Sequence, residues 1–239
     1  MEELPIEKPK IQNRQRITFA TAQTLAYVSV LELGLVWEHA LRRAGAPVKY
    51  SQGFNPRPKM HFAAPLPVGC GCEADLLDVW LTESWTAADT LAALQGKTPP
   101  DLTVVTVADV PPDEPALSEQ LVAAEYRVWL RDVTPADVSA AVAAFLEAEA
   151  VMQPRRGGKH KGTPYDLRSL VQVLEVRPAP APWIGLWMRL EARVGATGRP
   201  DEVLKALKLA DSPRRCTRER LILETPTPGA NEEKDLSTD

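Results

Sequence analysis

Apolar residues at alternate positions mark the first readable element: across 15–20, Ile17 and Phe19 share one face of a short strand. Ser29-Val30-Leu31-Glu32 then has the form of a capping box, in which the serine oxygen and the glutamate carboxylate each satisfy a backbone N–H left over at a helix start. Leu33, Trp37, Ala40, Leu41 and Ala44 follow at helical spacing, and Gly45 before Pro47 supplies a stop. Residues 50–59, with one glycine and two prolines, predict a loop feeding a strand at 60–64. Leu77, Val79 and Leu81 alternate with Asp78, Trp80 and Thr82 in a half-buried strand. A helix opening at Thr86 and a strand at 102–107 complete the order βαββαβ.

The same order then begins again. Tyr126, Val128 and Leu130 alternate with Arg127, Trp129 and Arg131, and Thr134-Pro135 is an N-cap with proline at the first helical position of a helix running to about Glu149. A basic loop at 153–165, strands at 167–176 and 184–194, a helix at 200–209 and a strand at 218–224 complete a second βαββαβ. The expectation is an α+β chain of two tandem ferredoxin-like domains with antiparallel sheets. Their bounds are 15–110 and 124–226, joined by a Pro-rich and acidic linker at 111–123. Residues 1–14 and the acidic stretch 227–239 read as disordered tails.

Composition changes this picture little, because 44% apolar and 25% charged residues are ordinary for a globular protein. No apolar run is long enough to span a bilayer, and the first ten residues resemble neither a signal nor a transit peptide. Three cysteines, Cys70, Cys72 and Cys216, are too few and too odd for a secreted scaffold, so a reducing, cytoplasmic setting is expected. Charge is more informative. The net value is −4, yet 39–72 and 151–165 hold nine of the 28 basic residues and no acid, making two basic islands on an acidic body.

Signatures of self-sufficient chemistry are missing from the sequence. There is no Gly-x-Gly-x-x-Gly, and Gly157 to Gly162 is followed by Thr163 where a P-loop needs lysine. Cys70-Gly-Cys72 offers two thiolates with too few partners for a metal site, and His39, His61 and His160 are too scattered for a triad. No catalytic residue, metal or cofactor is therefore assigned. The first island is instead suited to recognition: Ser51, Gln52, Asn55 and the backbone at Gly53 offer hydrogen bonds, Phe54 a stacking surface, and Arg57 and Lys59 charge, on a chain stiffened by Pro56 and Pro58. The second, with Arg155, Arg156, Lys159 and Lys161, has the character of a flexible phosphate-contacting arm. Trp80, Trp129 and Trp187 fall on strand faces otherwise populated by charged residues. Either they stack bases, as aromatics do on RNA-recognition sheets, or the two sheets meet and bury them, which is the favoured expectation.

Residues 40–59, Ala-Leu-Arg-Arg-Ala-Gly-Ala-Pro-Val-Lys-Tyr-Ser-Gln-Gly-Phe-Asn-Pro-Arg-Pro-Lys, and 62–69, Phe-Ala-Ala-Pro-Leu-Pro-Val-Gly, resemble the radical-SAM-linked protein family. Weaker similarity extends through Ala124-Glu-Tyr-Arg127 and Tyr165-Asp-Leu-Arg168. Members of that family are encoded beside or fused to a radical SAM protein, so the resemblance implies such a partner and an RNA- or translation-related role. Where the family reads Ser-His-Leu-Asp this chain has Ser29-Val30-Leu31-Glu32, and Ser169 replaces the proline of the Asp-Ile-Arg-Pro element. The Cys-x-x-x-Cys-x-x-Cys motif of a radical SAM catalyst is absent from this sequence. The expectation is a noncatalytic accessory protein that binds tRNA or rRNA. Residues 51–59 would read the ligand, Arg155, Arg156, Lys159, Lys161 and Arg168 would contact phosphates, and Asp166 would orient Arg168. A metal-independent RNA-processing enzyme using His61 or His160, and a protein-only adaptor, are the alternatives.

Overall fold

A computed structural model describes residues 13–156 and 161–224. The expected tail 1–14, apart from Asn13 and Arg14, all of the tail 227–239, and Lys159 and His160 lie outside the described residues. In the first half, β1 (Asn13–Thr21), α1 (Val30–Arg43), β2 (Met60–Phe62), β3 (Cys70–Leu81), α2 (Ala87–Leu94) and β4 (Leu102–Val110) follow in order. The capping box forms as expected: Glu32 N donates to Ser29 Oγ and Ser29 N donates to the Glu32 carboxylate, a bond that holds this acid below its ordinary pKa.

A short helix α3 (Leu117–Gln120) leads into the second half: β5 (Leu121–Leu130), α4 (Pro135–Glu147), a small hairpin of β6 (Met152–Pro154) and β7 (Pro164–Asp166), β8 (Val171–Arg177), β9 (Ile184–Arg193), β10 (Ala196–Thr197), α5 (Pro200–Ala206) and β11 (Arg214–Leu223). The stretch expected as a linker, 111–123, is therefore built into the fold. Leu117 and Gln120 are buried, and β5 begins at Leu121. Buried apolar side chains there anchor a segment whose prolines and acids suggested an open connection.

Among the described residues nine strands make one sheet, ordered β10-β9-β5-β11-β3-β1-β4, with β8 on β9 and β2 on β3. The result is an α+β protein with a large, mostly antiparallel sheet. This corrects the expectation of separate sheets, because the halves meet edge to edge: β11 pairs parallel with the start of β3, Cys216 opposite Cys70 and Arg218 opposite Cys72. The far end of β3 pairs instead with β2, whose Phe62 lies opposite Leu77. β2 ends at Phe62 rather than Ala64: Ala63 N still donates to Leu76 O at 3.0 Å, but the Ala64 and Pro65 carbonyls turn away to accept from Arg218.

The junction also pairs two of the three cysteines from which a reducing setting was expected. Parallel pairing brings the Cα atoms of Cys70 and Cys216 to 4.5 Å, and the two are joined in a disulfide. Cys72 remains a buried thiol, pushed up to about 12 by burial and by Asp75. Beside it, Arg218 is 1% exposed and donates to both Asp75 oxygens at 2.7 and 2.5 Å and to the Pro65 and Ala64 carbonyls at 3.1 Å. Burial opposes its charge, but Asp75 outweighs this and holds the guanidinium pKa above its ordinary value. No described helix is long and apolar enough to cross a membrane.

Two apolar cores lie under the helices. Leu33, Trp37 and Leu41 of α1 pack on Ile17, Phe19, Leu77 and Val79. Val138, Val142 and Phe145 of α4 and Val203 and Leu204 of α5 pack on Val128, Leu186 and Met188. If Arg218–Asp75 locks the halves, Asp75→Ala should destabilise the protein by about 3–5 kcal/mol, because it strands a buried cation. Removing both charges in Asp75→Leu/Arg218→Met should cost less than Asp75→Ala alone. Urea denaturation of the three proteins measures this directly.

Candidate nucleic-acid interface

Alternation along the strands sends the apolar set to the helices and its neighbours to the opposite face. Trp80 lies opposite Arg14 in the β1–β3 register, Asp78 opposite Arg16, and His61 opposite Asp78 on β2. In the second half Trp129 lies opposite Arg215, and Arg127 opposite Trp187. Among the described residues, edge-to-edge joining leaves these rings uncovered by the sheet of the other half. The expected burial of the tryptophans between two sheets does not occur.

The rings are instead dressed with cations. Lys59 Nζ sits 4.2 Å and Arg14 6.0 Å from the Trp80 ring, and the exposed His61 ring meets Trp80 edge-on at 5.0 Å. Arg131 and Arg215 flank Trp183 at 5.4 and 4.9 Å, while Arg127 lies 5.2 Å from Trp129. Trp187 differs in being 7% exposed: Arg177 covers it at 3.7 Å, and its indole N–H donates to Glu219 at 2.9 Å. Trp187 is thus a packed ring, while Trp80, Trp129 and Trp183 are half-buried.

Carboxylates hold much of the positive charge on this face. Asp78, 1% exposed, accepts from Arg16 at 2.8 and 3.1 Å. Glu125 accepts from Arg220 and Arg189, and the Arg220 bond leads in holding it below its ordinary pKa. The neighbourhood of Trp80 is different. Burial lowers the Lys59 pKa, and repulsion from Lys49 and Arg14 adds to it, a sign of crowded cations, with Arg14 also reaching Asp78 at 3.8 Å.

The first island forms the rim of this cluster. Ser51 N donates to Arg57 O, Arg57 N donates to Ser51 Oγ, and Tyr50 bridges Pro58, so the loop is closed at its neck by backbone bonds. Residues 51–57 are exposed, Phe54 completely, while Pro58 is buried as an anchor. Gly53 has φ of 143°, a conformation that disfavours any residue with a side chain. Gln52 and Asn55 stand out in solvent. Arg57 reaches Glu38 of α1 at 3.4 Å.

The second island lies elsewhere and is less free than its sequence suggested. Arg156 is held by Asp201 and Glu202, clipping the β6–β7 hairpin to α5, while Arg155 lies 5.3 Å from the Tyr165 ring. Lys161 is exposed. Arg168 is spent on the fold, donating to Val171 O and lying 6.0 Å from the Phe145 ring. Asp166 accepts from the backbone N–H groups of Val151, Arg168 and Ser169, which keeps its pKa low. It therefore orients Arg168 through the main chain, not through the guanidinium.

The islands sit on different elements: the first loop lies at the Trp80 end of β3, and the second is the β6–β7 hairpin held to α5. Sequence reasoning missed Arg14 and Lys49 beside Trp80 and the Arg131–Trp183–Arg215 group. The alternation of Arg14 and Arg16 with Gln15 and Ile17 was the available signal for the first. The second needed the β5–β11 register. Among the described residues, no three metal-binding side chains cluster.

The fold and this face define an α+β chain with a helix-covered side and an open side bearing cation–aromatic groups. A family model described as an uncharacterized protein conserved in bacteria, DUF2344, matches residues 14–200, and the chain belongs to that family. No curated protein sequence matches it. Solved structures similar in layout include a Cbf5–Nop10–Gar1 complex (10% identity, TM-score 0.48, covering 87% of this chain and 48% of that one). An archaeal box H/ACA sRNP Nop10–Cbf5 complex is also similar (12%, 0.43, 92% and 50%). So is an H/ACA RNP bound to a substrate RNA containing 2′-deoxyuridine (9%, 0.40, 85% and 47%). The chain spans about half the length of the chains it matches.

Releasing the clip should loosen the hairpin alone. Arg156→Ala is expected to raise amide exchange at 152–156 and 161–166 while lowering global stability by about 1 kcal/mol or less, since the arginine is half exposed. Hydrogen-exchange mass spectrometry with a parallel urea titration separates the two effects.

Proposed function

We propose that this chain is a noncatalytic accessory protein that binds RNA, of the tRNA or rRNA class, on the helix-free face of its sheet, and that it serves a radical SAM partner docked elsewhere. One observation supports this most: Trp80 offers an indole beside Lys59 and Arg14, with Lys49 adding like charge, at the foot of a closed loop that presents Phe54, Gln52, Asn55 and Arg57 to solvent. Aromatic faces stack bases of any identity, and neighbouring cations meet the phosphates. We read each half as a ferredoxin-like unit, on the strand orders β4-β1-β3-β2 and β11-β5-β9-β8. In the second island, Arg155, Lys159 and Lys161 remain as phosphate contacts, with Arg156 and Arg168 in supporting roles. The radical SAM partner rests on the family resemblance of 40–59 and 62–69.

His61 favours a second reading, a metal-independent RNA-processing enzyme, because its imidazole is exposed beside Trp80. Cleavage lost in His61→Ala would establish it. For the binding reading, crosslinking and sequencing of RNA from the protein's own cells should recover a defined RNA that Arg57→Ala/Lys59→Ala loses. In filter binding to that RNA, the double variant should flatten the salt dependence by about one to two phosphate contacts. Trp80→Ala should cost about 1–3 kcal/mol. Unchanged affinity in both variants removes this face from the account.

A further inference from the structure

On the opposite, helix-bearing side, the two halves leave a cavity of about 680 Å³ over their junction. Its floor is the seam itself, with Cys70, Cys216 and Arg218, and its walls come from both halves: the 63–69 segment and the start of α1 on one side, β10 and α5 on the other. Leu66, Leu121, Ala124, Ala192 and Leu204 make the interior apolar. Cavities of this size and character accommodate small organic ligands.

A second groove of about 480 Å³ shares Thr197 and Arg199 with this cavity and is lined by Arg155, Arg156 and Tyr165. Its carboxylates, Glu202 here and Asp201 next door, are both engaged by Arg156. Arg193 is paired with Glu191 and Glu224, and Arg218 with Asp75. Among the described residues Arg199, Arg155 and Arg214 have no carboxylate partner; Arg214 donates to the Ala210 carbonyl, and Arg199 is exposed at the point where chamber and groove meet. An apolar chamber thus runs into a vestibule with unbalanced positive charge.

We propose that this cleft binds a small anionic amphiphile, its apolar body in the chamber and its phosphate or carboxylate against Arg199 and Arg155. Charge complementarity selects the anion, and the apolar lining rejects a purely polar one. The chamber lies on the other side of the sheet from the Trp80 face and shares only Arg155 with the phosphate contacts proposed for RNA, so amphiphile binding lost in Arg199→Ala and RNA binding lost in Arg57→Ala/Lys59→Ala separate the two readings.

Isothermal titration calorimetry of the full chain, with probes below their micellar concentrations, tests it. Decyl phosphate or decanoate should bind saturably, at least about tenfold tighter than inorganic phosphate or decanol. Which of the two binds better identifies the head group. Arg155→Ala/Arg199→Ala, which changes exposed side chains only, should weaken binding by at least about tenfold. Ala192→Phe, which fills the chamber, should also weaken it, and circular dichroism checks that both variants fold. Absence of saturable binding by either amphiphile overturns the proposal. So does decanol binding as tightly, inorganic phosphate binding as tightly, or an affinity indifferent to the arginine pair.

Discussion

The architecture depends on one seam, where the buried ion pair of Arg218 with Asp75 works beside the Cys70–Cys216 disulfide. Two half-sheets that met by backbone pairing alone would share only the short register Cys216 to Arg218. Arg218 extends that contact into three dimensions, binding Asp75 within the first half and the carbonyls of Ala64 and Pro65 in the segment that leaves the sheet after β2. Burying a guanidinium is costly unless its donors are satisfied, and here one carboxylate and two carbonyls satisfy them. With the packing of Ala63 and Leu66 on the second core and the adjoining Cys70–Cys216 disulfide, this arrangement sets the proline-containing stretch 63–69 against the second half and so shapes the cavity it walls.

Joining the halves by an edge has a further consequence. Had the sheets stacked face to face, the charged and aromatic positions of β1, β3, β5 and β9 would have been forced into a core that cannot solvate them. Edge joining gives all helices one side and leaves the other to Arg, Trp and acid pairs. It also removes a strand edge from each half, since the β3 edge is shared between β11 and β2. Packing and surface chemistry are thereby separated onto two faces of the same strands.

How much of this was legible follows from the range of the forces involved. Elements set by local signals were readable: the Ser29–Glu32 box, the Thr134-Pro135 helix start, and the alternation of Leu77, Val79 and Leu81 all appear where expected. What depended on residues far apart was not. Cys70 and Cys216 are separated by 146 positions, Arg218 and Asp75 by 143, and nothing near either member announces the other. The same limit applies to the site. The loop at 51–59 is a local feature and reads clearly, but Trp80 acquires Arg14 from β1 and Lys59 from beside β2 only through sheet register. In the second island, sequence showed a run of cations but not Asp201 and Glu202, which neutralise Arg156 from another element.

That last contrast separates a basic sequence from a basic surface. An arginine on a carboxylate must lose that partner before it can serve a phosphate, so Arg16 on Asp78 or Arg189 on Glu125 contributes little to attraction. A cation resting on an indole is in a different position. The ring stabilises it through a quadrupole and carries no net charge, so the positive charge remains available to a ligand. Lys59 over Trp80 and Arg215 over Trp183 are of this kind. With a net charge of −4, the protein as a whole does not draw a polyanion from a distance. Attraction has to operate within about 8 Å, the screening length at physiological ionic strength. The tryptophans therefore do two things at once on the open face: they offer flat surface, and they hold cations in place without cancelling them.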